Sequence, residues 1–167
     1  IFDCLTLMQL SSAAEQLGKK AVLSETFALC GHNVSFSELK GIFEWQAVHG
    51  INLLCQHLEG YSIRGIRKRD YPPAMFVQQP WWSEYKTFND AMSRIGMVLT
   101  ESRKKADVLL LHPQTTAWSM YDDAKSEGAA ELNEKLLSVM RRLEEKHLQY
   151  HFGDEILMER HAKVEGD

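Results

Sequence analysis

The apolar positions of this chain alternate between a helical rhythm and short unbroken runs. Leu5, Met8, Ala13 and Leu17 recur at helical spacing, and Gly18 is a natural C-terminal stop. The run Ala21-Val22-Leu23 then climbs through Ser24 to a carboxylate, Glu25. A few apolar residues bounded by turn signals predict a fully buried parallel strand over 21–25. A loop follows from Thr26 to Val34 and holds Cys30, Gly31, His32 and Asn33. Ser35 with Glu38 three residues on spells a capping box, so a helix is predicted from there to about His49. Leu39, Ile42, Phe43 and Ala47 give that helix its buried face, and Gly50 ends it. Ile51–Cys55 is a second apolar run, and it delivers Gln56, His57, Glu59 and Tyr61 at its end.

Residues 60–80 are punctuated by Gly60, Gly65, Pro72, Pro73 and Pro80, which predicts a long loop that covers a site or links domains. From Trp81 to about Ser102 the pattern is helical, with Trp82, Tyr85, Phe88, Met92, Ile95 and Leu99 along one face. The tandem Trp81-Trp82 reads either as a core plug or as a platform for stacking sugar. Asp107–His112 predicts a third strand ended by Pro113, and Gln114–Asp123 a polar loop. A long amphipathic helix is predicted over about 129–147, with a mixed-charge outer face that is simply solvated. Gln149–Phe152 reads as a fourth strand, and Asp154 as the cap of a short helix through Arg160. Strand, loop and helix in repeated order give the expected class: α/β, with parallel strands alternating with helices. The pattern further predicts two halves meeting near residue 105. Residues 1–104 read as the last two strands of a (β/α) barrel, and 105–167 as the beginning of a doubly wound domain.

This order of elements gives Glu25 its interest. In a barrel the strand C-termini form the active-site face, so Glu25 would point at substrate. The plainer alternative is that Glu25 leaves the strand into solvent or caps the next element. Glycoside hydrolysis ordinarily uses two carboxylates, one attacking or activating water and one protonating the leaving oxygen. Glu25 fits the first role. Glu59 is the other carboxylate beside a strand end, either as the partner acid or, with His57, as a group that binds sugar hydroxyls or tunes Glu25. His57 also reads as an ordinary core or loop histidine. His32 and Asn33 either hydrogen-bond a hydroxyl or close their loop locally. Gln56 and Tyr61 complete the candidate substrate-binding set.

Composition narrows the partners. The 167 residues suffice for one domain with a real core or for two incomplete pieces, and the 44% apolar and 25% charged content is that of a soluble globular protein. A net charge of -4 without a basic face argues against nucleic acid. The run Arg64, Arg67, Lys68, Arg69 reads as a solvated loop or as part of a site for a polar ligand. Cys4, Cys30 and Cys55 have no metal-ligand spacing, and an odd number cannot all pair within one chain, so reduced thiols, a cytoplasmic setting and no metal are expected. No stretch is long and apolar enough to span a membrane. The start on Ile1-Phe2, inside an apolar pattern, predicts a piece of a longer protein. No Gly-rich phosphate loop follows any strand, which excludes a P-loop or dinucleotide site, and no other cofactor is implied.

The segments Lys19-Lys-Ala-Val-Leu-Ser-Glu25 and Trp45-Gln-Ala-Val-His-Gly-Ile-Asn52 resemble the end of a clan-A glycoside hydrolase barrel. In that resemblance Glu25 closes strand seven, and Leu53-Leu-Cys-Gln-His57 is strand eight with its rim. Ala106–Pro113 resembles the first strand of the flavodoxin- or glutamine-amidotransferase-like domain that follows the barrel in trimeric bacterial β-galactosidases. The same arrangement is similar to that of glycosidases related to α-L-rhamnosidases. The resemblance spans about residues 15–165 and rests on diffuse motifs. It implies a retaining or inverting glycosidase acting on a carbohydrate substrate, with Glu25 matching the nucleophile of the retaining enzymes. The acid/base carboxylate, at the end of strand four, would lie ahead of Ile1, and the isolated chain would be inactive. A second reading is a non-catalytic α/β carbohydrate-binding or assembly module, in which exposed strand edges favour a homo-oligomer.

Overall fold

A computed structural model describes residues 4–122 and 127–165. Its elements run in the order α1 (Leu5–Gln16), β1 (Leu23–Thr26), α2 (Phe36–Val48), β2 (Leu53–Gln56), α3 (Tyr85–Thr100), β3 (Val108–His112), α4 (Gln114–Met120), α5 (Glu127–Glu145), β4 (Tyr150–Asp154) and α6 (Glu155–His161). Single 3-10 segments cover Gly65–Arg69 and Trp82–Glu84. The chain is thus α/β, with parallel strands paired β1 with β2 and β3 with β4. Each sheet has two strands, and no barrel is closed among the described residues.

Two compact units emerge, Ala14–Arg103 and Ile1–Ala13 with Lys104–Asp167. The change at 103/104 lies beside the predicted one, but the first thirteen residues group with the later part of the chain. The cause is side-chain chemistry on α1. The Ser12 hydroxyl, buried, accepts the Phe152 N–H at 3.0 Å, and Gln9 bonds the His112 ring at 2.8 Å.

Within Ala14–Arg103, β1, α2 and β2 form a β-α-β unit. The predicted capping box is present: Ser35 accepts from the Glu38 N–H while the Glu38 carboxylate takes the Ser35 N–H. Those bonds hold the Glu38 carboxyl below its ordinary value. Both strands begin about two residues later than predicted, because Asn52 takes over the entry backbone. Its amide oxygen accepts the Val22 N–H at 2.8 Å and its NH2 donates to the Lys20 carbonyl at 2.7 Å. α2 and α3 cover one face of the pair with a core of Phe27, Leu39, Phe43, Met75, Tyr85, Phe88 and Met92. Gly96 lets α3 approach the sheet: a Cβ there would lie 2.6 Å from the Asn52 carbonyl oxygen.

The expectation of fully buried strands is corrected here. Burial alternates along β1 and β2, and Leu23 and Leu53 are 50% and 46% exposed. A two-stranded sheet covered by helices on one side leaves its other face open. A second correction concerns 114–123, where α4 occupies most of the predicted loop. Trp81 settles as a core plug: its indole N–H donates to the Val34 carbonyl at 3.2 Å and its ring packs on Phe36 and Tyr85.

In the other unit β4 is the more enclosed strand, with Tyr150, Phe152 and Gly153 buried, and α5 contributes Met140. Burial pushes the Tyr150 hydroxyl far up, with the Glu144 carboxylate and Cys4 adding to the shift. Asp154 caps α6 as predicted, accepting the Leu157 N–H at 2.8 Å.

Candidate functional site

Glu25 is the third residue of β1 and pairs in register with Cys55 of β2. Parallel pairing with period-two side chains puts Leu23, Glu25, Leu53 and Cys55 on one face, the exposed one. The opposite face carries Ser24, Thr26, Leu54 and Gln56 toward α2 and α3. The Glu25 carboxylate makes no hydrogen bond or ion pair with any described residue. It is an uncommitted anion at the C-terminal end of a parallel pair.

The chain turns sharply just beyond it. Phe27 and Leu29 have φ of 73° and 62°, in the left-handed region that bulky residues avoid at a cost of about 1–2 kcal/mol each. Burial of the Phe27 ring in the core, 6.2 Å from Phe88, offsets the cost at Phe27, whereas Leu29 is exposed. No sequence signal marks these turns, since neither residue is glycine, asparagine or aspartate. Gly31 takes φ 86° with the usual glycine freedom, and its N–H donates to the Pro72 carbonyl at 3.1 Å. His32 Nε2 donates to the Lys68 carbonyl at 2.7 Å, which joins the loop after β1 to the loop after β2. Asn33 is exposed beside it. His32 therefore spends one ring nitrogen on closing a loop, over a longer distance than the local turn considered from sequence.

The residues ending β2 divide between two surroundings. Gln56 lies on the covered face: the Tyr85 hydroxyl donates to its Oε1, and its Nε2 donates to Asn89 Oδ1 at 2.7 Å. Burial, opposed by the Asn89 bond and aided by the Glu59 charge, pushes the Tyr85 hydroxyl up to about 12. Gln56 is thus held on the face opposite Glu25. His57 continues the pairing, its N–H donating to the Thr26 carbonyl at 2.7 Å, and its ring lies 5.4 Å from that of Tyr71. Its Nδ1 is buried with no partner among the described residues. Glu59 is exposed, and Tyr61 is 91% exposed while Gln78 holds its carbonyl at 3.1 Å. The structure brings Glu25 and His57 to adjacent strand ends and leaves Gln56 behind the sheet.

Sequence reading missed the polar layer beneath the sheet. Gln46 Nε2 donates to Thr26 Oγ1 at 2.8 Å, and Tyr85, Gln56 and Asn89 form the second set. The i,i+4 spacing of Tyr85 and Asn89 on α3 was the available signal.

The strand ends of the other unit are differently employed. His112 pairs in register with Asp154, stacks edge-on against Phe152 at 5.3 Å and takes the Gln9 amide. Asp154 is a helix cap, and Glu155 Oε2 accepts the Thr115 N–H at 2.7 Å, which holds its carboxyl below the ordinary value. None of the three cysteines forms a disulfide, and burial, with Glu38 nearby, pushes the Cys30 thiol up. No helix among the described residues is long and apolar enough to cross a membrane. No family model matches the chain, and neither a curated protein nor a solved structure matches it.

Proposed function

We propose that this chain contributes to a glycoside hydrolase, with Glu25 as the strand-end nucleophile. One observation carries the reading: Glu25 stands without a partner among the described residues at the C-terminal end of β1, beside the end of parallel β2, on the uncovered face. A barrel interior would be lined in this way, with apolar Leu23 and Leu53 below and polar chemistry at the rim. On the same reading the unit Ala14–Arg103 belongs to a barrel, and the flavodoxin-like domain of the resemblance is the unit that combines Ile1–Ala13 with Lys104–Asp167. The carboxylate attacks the anomeric carbon, the glycosidic oxygen leaves with a proton from the acid/base group, and water then releases the sugar. That acid/base group comes from another strand end. His57 and Tyr61 line the rim and bind hydroxyls.

The test is hydrolysis of a panel of aryl glycosides by the full-length native protein. Glu25→Gln lowers turnover by about three orders of magnitude or more while sugar binding persists. Turnover like the wild type removes Glu25 from the mechanism. The exposed Leu23 and Leu53 support a second reading, an assembly or carbohydrate-binding module. It gains if no glycoside is cleaved and sedimentation shows an oligomer that Leu53→Ser disperses.

A further inference from the structure

The loop leaving β2 holds a group of cations that no described residue neutralises. Arg64, Arg67, Lys68 and Arg69 fall within six residues, all are exposed, and none forms an ion pair among the described residues. Other exposed cations do pair: Lys40 with Glu44 at 3.1 Å, Lys86 with Asp90 at 2.6 Å, Lys135 with Glu131 at 2.7 Å. Like charges this close repel one another, and Asp70 adjacent in sequence makes no ion pair with them.

The segment is also held in place. Arg67, Lys68 and Arg69 lie in the Gly65–Arg69 3-10 turn, and Arg64 precedes it in extended backbone. The Lys68 carbonyl is fixed by His32, the Pro72 carbonyl by Gly31, and the Gly60 and Tyr61 carbonyls by Gln78 at 3.3 and 3.1 Å. The His32 and Gly31 bonds tie the cationic turn to the loop that follows Glu25, and the Gln78 bonds brace the segment after β2 internally. Three residues ahead of Arg64, Tyr61 is 91% exposed. Guanidinium forks match carboxylate and sulfate geometry, and an exposed aromatic ring suits a sugar face. A preorganised arrangement loses little conformational entropy on binding.

We propose that this loop is a binding site for an acidic saccharide, with Arg64, Arg67, Lys68 and Arg69 meeting its carboxylate or sulfate groups and Tyr61 a sugar ring. The inference rests on the carbohydrate reading of the strand-end site and names its substrate class. Neutral sugars would leave the four cations unanswered.

Titration calorimetry on the full-length protein tests it with three probes: a tetragalacturonate, its neutral methyl ester, and a sulfated tetrasaccharide. At least one acidic probe binds about 10-fold or more tighter than the neutral ester, and added salt weakens it. Replacing the four cations by Gln costs about 10- to 100-fold in that affinity, with circular dichroism unchanged because the fixing carbonyls remain. Retained acid preference in Glu25→Gln, together with no hydrolysis of any probe, upholds the site and sinks only the hydrolase. Hydrolysis indifferent to charge upholds the hydrolase and sinks this site. Equal affinity for acidic and neutral probes, no binding of any probe, or full affinity in the four-Gln variant overturns the proposal. Tighter binding of a single-stranded oligonucleotide overturns the ligand class.

Discussion

The two parallel strand pairs are alike in construction and opposite in how they use their acidic ends. At the end of β1, Glu25 has no partner among the described residues and faces outward beside Cys55 and the open leucines. At the end of β4, Asp154 caps α6 and Glu155 takes the Thr115 N–H. A carboxylate at a parallel strand end is therefore not by itself a sign of catalysis. One that is spent on the backbone holds the fold together. An unspent anion, at an edge where two left-handed residues turn the chain away, has no structural return to explain it.

The strongest way to break that contrast is to exchange the two carboxylates' fates. On the proposed glycosidase reading, Glu25→Gln is expected to remove about 4 kcal/mol or more of transition-state stabilisation while leaving stability to unfolding within about 0.5 kcal/mol of the parent. A large loss of stability would show that Glu25 is structural after all. The covered side of the same sheet should respond in the reverse sense. Phe43 is 1% exposed, and Phe43→Ala costs about 3–5 kcal/mol by denaturant unfolding. An effect below 1 kcal/mol would mean the aromatic core does not carry this unit.

Asp154→Ala sharpens the contrast from the other unit. Loss of the α6 cap is expected to cost about 1 kcal/mol and to leave the proposed hydrolysis unaffected. Lost turnover with stability intact would make Asp154 functional and dissolve the distinction. The smallest effect is on pH. The folded Glu155 carboxyl titrates below its ordinary 4.5, so its contribution to stability is present above that value and fades as the pH falls through the folded value. Glu155→Gln flattens the acid limb of the stability profile. An unchanged acid limb would mean the Thr115 bond does not persist in solution.

Much of the local structure was legible along the chain, for identifiable reasons. The Ser35-Glu38 box and the Asp154 cap are local hydrogen-bond devices, so residue type and spacing suffice. The apolar face of α3 is a period of 3.6 and survived intact in Tyr85, Phe88 and Met92. α4 was missed because Gln114-Thr-Thr-Ala-Trp-Ser-Met carries no apolar stripe and no cap of its own. Within the candidate site, the chemistry-bearing residues Glu25, His32 and His57 were visible by type. That Gln56 turns behind the sheet was not, since it depends on Tyr85 and Asn89 more than thirty residues away or nearly so in sequence.

By itself the sequence determined the α/β alternation, the caps and the placing of Glu25 at a strand end. These follow from periodicity and from contacts between near neighbours. Only the tertiary structure decided which residues are spent and which are free. Asn52 clamps the strand entries, His32 ties two loops together, and four cations nearby in the chain stay unpaired among the described residues. Such commitments join distant positions, and a linear pattern holds no information about which of several polar groups will meet.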